Sequence, residues 1–275
     1  GLNPLRVLAK ADPFNAKLLA TMVVFYRLQG RVTKAEKLIT KILSRHPDSI
    51  AAYMNLSMIY FGRAQAAKGK EKMVALARAE NVTALAFDKL KLAKVKISAE
   101  HAPFYNNLGM IWVERSDLGR ALVQFEKALE LDKNLLAAHR NIGSIALRYR
   151  DFARALKHYG EVLKTLKEDP EALEAIGHCQ AGKLEAEAAA KTFTKVLSLR
   201  PKNSRALYAL AVVTERQLSK LEDAKALYQR WVNLKGGAAR LGASHEVVKK
   251  ITELAQQIQM LKEFGDEDAE EGGEG

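Results

Sequence analysis

A large apolar residue followed by a small one returns every 34 residues along this chain. Leu108, Ile142, Ile176 and Leu210 carry the first column, and Gly109, Gly143, Gly177 and Ala211 the second. Twelve residues after each glycine stands an alanine (Ala121, Ala155, Ala189), and four beyond it an aromatic ring (Phe125, Tyr159, Phe193). Met22 and Leu56, like Pro13 and Pro47, keep the same interval earlier in the chain. A sequence that repeats at this period folds as a stack of similar units, each burying its apolar face against its neighbours. At 275 residues, length alone would suggest about two domains. The periodicity favours one elongated array instead.

Inside each unit, apolar positions three and four apart predict two amphipathic helices joined by a short polar turn. Glycine in the first helix costs roughly 1 kcal/mol relative to alanine, so its return implies a compensating close approach. The expected joint sets the small residue of the first helix against the small residue of the second, with the ring filling the space beside the crossing.

These residues resemble the tetratricopeptide repeat. The third unit carries the resemblance best, with Tyr105, Leu108, Gly109, Ala121, Phe125 and Ala128 followed by "LELDKN", where Lys133 replaces the family's usual proline. On this register, units open at Ala16, Ile50, Ala102, Leu136, Pro170 and Ser204. The resemblance implies an all-α, right-handed superhelical solenoid of stacked helix-turn-helix repeats with a C-terminal capping helix. Residues 1–15 are expected to be the last helix of a preceding, truncated repeat, and 16–242 an array of about six repeats. The first unit lacks glycine in its Met22-Val23 pair, and the sixth needs one extra residue to bring Ala224, Tyr228 and Trp231 into register. Residues 243–264 are expected to form the capping helix, with Val247, Ile251, Leu254, Ile258 and Leu261 on one stripe and Ser244 as N-cap. The last stretch, 265–275, is acidic and glycine-rich and reads as a disordered tail.

The second unit is 18 residues longer than the others, and most of the surplus is expected between Gly62 and Thr83, accommodated by lengthened helices. From Arg63 to Lys96 the chain holds nine basic and three acidic residues, Lys68, Lys70, Lys72 and Arg78 among the former. "KLKLAKVKI" within it suits either a helix end or a short strand. The whole chain carries a net charge of +12.

No enzymatic constellation emerges. The six histidines never pair with each other or with a carboxylate at metal-ligand spacing, so neither metal nor cofactor is expected. "GGAARLG" lacks the lysine and hydroxyl of a phosphate loop. Cys179 has no partner and reads as a buried thiol, and His139, in the place of a repeat aromatic, as a packing residue. No run of 18 uncharged apolar residues occurs. Catalysis is not expected.

Binding is. Stacked repeats line a groove with their first helices, and Asn55, Asn107 and Asn141 share one register position there, just before the large apolar residue. This row resembles the asparagine ladder of the tetratricopeptide region of the O-linked sugar transferases, which grips the backbone of an extended peptide. Met54, Met58 and Met110 fall on neighbouring groove positions, and Arg140 and Arg148, with Arg205 and Arg216, border it and favour an acidic protein or peptide segment. The family's carboxylate clamp for chaperone tails is not matched, because Asn106 and Ala175 stand where its lysine and arginine belong. The leading expectation is a non-enzymatic scaffold that holds a protein segment during assembly of a larger complex. The alternative is a polyanion-binding surface on 63–96, for an anionic membrane more than for nucleic acid, since Phe87 is that stretch's one aromatic. The style of the chain is similar to that of envelope-associated tetratricopeptide lipoproteins, which favours a bacterial periplasm or envelope over the cytoplasm and leaves membrane association to a preceding segment.

Overall fold

The computed structural model describes residues 16–271, with side chains from 21 to 263. The helix expected over 1–15 lies outside the described residues. Fourteen α-helices follow in order: α1 (Ala16–Leu28), α2 (Val32–Arg45), α3 (Ile50–Ala66), α4 (Gly69–Leu92), α5 (Ala102–Glu114), α6 (Leu118–Leu131), α7 (Leu136–Arg148), α8 (Phe152–Thr165), α9 (Pro170–Gly182), α10 (Ala186–Leu199), α11 (Ser204–Arg216), α12 (Leu221–Leu234), the single turn α13 (Ala238–Leu241) and α14 (Glu246–Glu271). A 3₁₀ turn, Ala99–His101, precedes α5, and no strand occurs among the described residues. "KLKLAKVKI" ends α4 at Leu92 and continues without regular structure. Six helices begin at the residues that open the 34-residue register, from Ala16 to Ser204.

The described residues fall into two compact units, one ending at Asn141 and one beginning at Ile142. In the first, α1 to α6 pack each against the next. In the second, α8 to α12 do the same and α14 packs on α12.

Each regular pair closes on a ring. A Cβ on Gly109 would lie 2.5 Å from the Phe125 ring, one on Gly143 2.8 Å from Tyr159, and one on Gly177 2.8 Å from Phe193. The joint therefore differs from expectation in one respect. The aromatic lies directly on the glycine instead of beside a crossing of two small residues, because only a bare Cα leaves room for the ring's thickness. Ala121, Ala155 and Ala189, four residues earlier, are fully buried.

The turn between the two helices of a repeat is also periodic. Ser116, Arg150 and Leu184 take left-handed backbone (φ 62°, 60° and 63°), and Gly30 does so in the first repeat. In the turn at Ser116 two backbone bonds, Ser116 N–H to Val113 and Asp117 N–H to Trp112, use up carbonyls at the end of α5. Asp117 and Asp151 then cap the next helix by accepting from the backbone N–H of Arg120 and Arg154. In the sixth repeat the left-handed residue is Ser219, one later than the period requires, which locates the extra residue in this turn.

The long second repeat keeps a joint of different chemistry. Ser57 holds the place of the glycines, and its Oγ bonds the Ala79 carbonyl (2.9 Å) and Thr83 Oγ1 (2.7 Å). Ala79 and Thr83 stand four apart, as alanine and ring do elsewhere. Ser57 to Ala79 is 22 residues against 12 from Gly109 to Ala121, so ten of the surplus residues precede Ala79 and the other eight follow Thr83. The surplus is thus divided: α3 and α4, at 17 and 24 residues, both outgrow the 13 and 14 of a regular pair.

Helix α14 starts one residue after His245, whose Nδ1 accepts from the Val247 N–H at 3.2 Å, so the imidazole and not Ser244 caps it. Val247, Leu254 and Ile258 are buried and Leu261 is exposed. Glu215 fastens the helix, bonding Tyr228 Oη on one side and Lys250 Nζ (3.2 Å) on the other. The helix continues to Glu271, past the boundary expected at 264; residues 272–275 lie outside the described ones.

Candidate functional site

The groove positions of the first unit are more self-contained than their spacing suggests. Asn55 turns its Nδ2 onto the Ala51 carbonyl of its own helix (2.8 Å). Asn141 Nδ2 donates to Asn106 Oδ1 (2.9 Å), pairing two groove amides of α5 and α7. Asn106, which stands where the carboxylate clamp's lysine belongs and outside the expected asparagine row, is buried. Asn107 and Arg140 are half-buried. Met54 packs with Tyr53, Ala86 and Phe104, while Met58 and Met110 pack against Phe61, Leu76 and Ile111. Those methionines therefore serve the core and present only part of their surface. Arg148, in the second unit, is exposed.

The basic stretch is likewise drawn partly inward. Lys72 pairs with Glu114 (2.6 Å) and Arg115 with Glu80 (2.8 Å). Arg63 and Arg78 flank the Tyr60 ring at 5.7 and 5.9 Å. Lys68 and Lys70 are exposed.

In the second unit the same register positions open a cavity of about 660 Å³ that sequence reasoning missed. Tyr208 holds the place of Met54 and Arg140, Ala209 that of Asn141, and His178 and Val212 that of Met58 and Met110. The remaining walls come from outside the first helices: Phe193 of α10, Trp231 and Lys235 at the end of α12, and His245, Glu246 and Val247 where α14 begins. The Trp231 ring stands 5.8 Å from Tyr208 and 5.9 Å from the His245 imidazole. Periodicity could have found the first-helix half of this cavity. Phe193 belongs to the periodic aromatic column as well, whereas the end of α12, shifted by the extra turn residue, and the start of α14 have no counterpart at 34.

The joints described above position these walls. Phe193, held over Gly177, meets His178 in a T-shaped contact with ring centres 5.1 Å apart. Burial lowers the pKa of His178 below the ordinary 6.5, a stronger effect than the attraction of Glu174, so the imidazole is neutral at pH 7. Glu174 is itself buried and held by Asn203 Nδ2 (2.6 Å) and Arg205 Nε (3.2 Å). Lys235 Nζ lies 5.4 Å from the Trp231 ring centre and bonds Ser204 Oγ at 3.1 Å. Gln217 donates to the Ala181 carbonyl (3.0 Å), while its Oε1 is enclosed without a hydrogen bond among the described residues. The arrangement can take an apolar or aromatic side chain, with cations at its rim.

Among the described residues no three of His, Cys, Asp and Glu gather as a ligand set. Cys179, on α9, is fully buried and burial pushes its thiol up to about 11, so it is not a nucleophile at neutral pH. His139 is buried with Nε2 2.9 Å from the Lys133 carbonyl, a packing role. No described helix is long and apolar enough to cross a membrane.

Comparison with known proteins follows the same lines. Residues 180–239 match the model of the tetratricopeptide repeat. No curated protein matches the chain by sequence. Among solved structures, the chain is similar to the C-terminal part of a tetratricopeptide repeat-containing protein from Cytophaga hutchinsonii, at 18% identity and a TM-score of 0.59, covering 82% of this chain and 81% of that one. It is similar to pilF of Pseudomonas aeruginosa at 15% identity and a TM-score of 0.63 (86% and 96% covered). It is also similar to YrrB, described as a tetratricopeptide protein with an unusual peptide-binding site, at 16% identity and a TM-score of 0.51 (74% and 96%).

Proposed function

Taking as premise that this chain carries tetratricopeptide repeats, we propose that it is a non-enzymatic scaffold whose second unit captures a segment of another protein during assembly of a larger complex. The observation that carries this is the aromatic-walled cavity built on the groove positions of α9 and α11. An apolar side chain of the guest enters between Tyr208, Val212 and Trp231, worth about 1.5–3 kcal/mol if fully buried. Lys235 reads a carboxylate beside the anchor. Micromolar binding requires about 8 kcal/mol, so the guest needs more than one such anchor. The peptide-binding site described for YrrB supports the general mode.

The asparagine row of the first unit offers backbone bonds of its own to a guest there. Asn107, half-buried, and the Oδ1 atoms of Asn55 and Asn141 face this task, each at a net ~0.5–1.5 kcal/mol. Selecting peptides on the immobilised chain, then comparing Val212→Arg with the triple alanine variant of Asn55, Asn107 and Asn141, tests the proposal. Val212→Arg abolishes capture of the peptides held by the cavity, with unchanged circular dichroism; the triple variant loses those held by the asparagine row. Undiminished capture by Val212→Arg would reject the cavity.

A further inference from the structure

The lengthened second repeat leaves one face of α4 uncovered, and we infer that this face lies on an anionic lipid surface. The inward side of the helix is spent on Ala75, Leu76, Ala79, Thr83, Ala86 and Leu90, all buried. Opposite them Val74, Leu85 and Leu92 stand 11 and 7 residues apart, close to three and two helical turns, which places them on one line. They are 44%, 42% and 77% exposed, and Met73 beside them is 53% exposed. Three large aliphatic side chains in line on one exposed helix face offer an apolar stripe to a covering surface.

The charges around the line select the kind of contact. Lys68, Lys70, Arg78, Lys91, Lys94 and Lys96 are exposed on or beside this helix, against Glu71 and Asp88. The other acid of the stretch, Glu80, is neutralised by Arg115. Aliphatic residues that insert, interleaved with long cationic side chains that reach headgroups, are the requirements of a helix lying in a membrane interface. Lysine is depleted in protein–protein interfaces, where aromatic rings are enriched, and the one ring beside this line, Tyr60 next to Val74, is already flanked by Arg63 and Arg78. Single-stranded nucleic acid would need rings for stacking. The stretch's one aromatic, Phe87, is occupied instead, 5.6 Å from Phe104 and 4.9 Å from Tyr105. The face belongs wholly to the first unit, so the inference is independent of the peptide cavity of the second.

Co-sedimentation of the full chain with vesicles of phosphatidylglycerol and phosphatidylcholine tests it, with pure phosphatidylcholine and single-stranded RNA as the other arms. The expected result is binding to anionic vesicles only, falling at least tenfold in the triple variant Val74→Ser, Leu85→Ser, Leu92→Ser, whose net charge is unchanged. Val212→Arg leaves vesicle binding intact, which separates this result from that of the cavity. The inference is overturned if the triple variant binds vesicles as well as the parent chain, if RNA binds as tightly as vesicles, or if the face proves to be covered by a second copy of the chain in sedimentation equilibrium.

Discussion

The pair α9–α10 and the pair α3–α4 solve one packing problem in two ways. In the first, a phenyl ring lies on a bare glycine Cα; in the second, Ser57 and Thr83 meet through hydroxyls over the Ala79 carbonyl. The ring joint is compact and matches 13- and 14-residue helices. The hydroxyl joint is satisfied by hydrogen bonds instead of area, and it accompanies helices long enough that the outer face of α4 projects beyond its neighbours' cover. What recurs in the array is therefore the small residue at the crossing, while its partner side chain is free to change.

The largest blow to this comparison should come from Gly177→Leu. Its Cβ alone would lie 2.8 Å from the Phe193 ring, and overpacking of this kind costs about 1–3 kcal/mol, read as a lower urea midpoint. Because Phe193 also walls the cavity, peptide capture should weaken in parallel. Ser57→Ala is milder: Thr83 Oγ1 keeps its bond to the Ala79 carbonyl (2.8 Å), so about 1 kcal/mol is lost in the same titration. Ser57→Val should cost more than Ser57→Ala, since its added methyl enters the crossing, and the reverse order would show that the joint tolerates bulk.

Two smaller effects sharpen the contrast within the second unit. Leu184 is 76% exposed in left-handed backbone (φ 63°), where glycine carries no steric penalty. Leu184→Gly should raise stability by about 0.5 kcal/mol, the local strain relief slightly exceeding the added freedom of the unfolded chain. His178 supplies a pH dependence. Its folded pKa lies below the ordinary 6.5, so the unfolded chain binds the proton more readily in that interval. The contribution is fully present above pH 6.5 and is lost as pH falls through the folded value. Melting temperatures from pH 7.5 down to 5 should fall less steeply in His178→Phe than in the parent chain.

How much of this was legible beforehand depends on whether a feature repeats. The glycine and aromatic columns disclosed the helix pairs and their register, because the steric demand at each crossing leaves a trace every 34 residues. Ser57 hides from that trace: serine is small enough for the crossing, but it signals no glycine and has no ring to answer it. The cap of α14 escaped because serine is the commoner capping residue, whereas here an imidazole nitrogen reaches the same N–H. Asn106 was legible only as a mismatch to the lysine of the carboxylate clamp, because nothing in the spacing shows that Asn141 turns its amide onto it. The cavity gathers Tyr208, Trp231 and His245 from three elements with no common interval, so only its α9 and α11 wall and Phe193 of the aromatic column could be anticipated.

Cys179 gives the molecule a built-in clock. A sulfhydryl sealed inside α9 and protonated throughout the neutral range reacts with an aqueous disulfide reagent only during moments when that helix parts from its neighbours. The speed of its labelling would report how often the second unit breathes, and a bound guest would slow it without touching the sulfur.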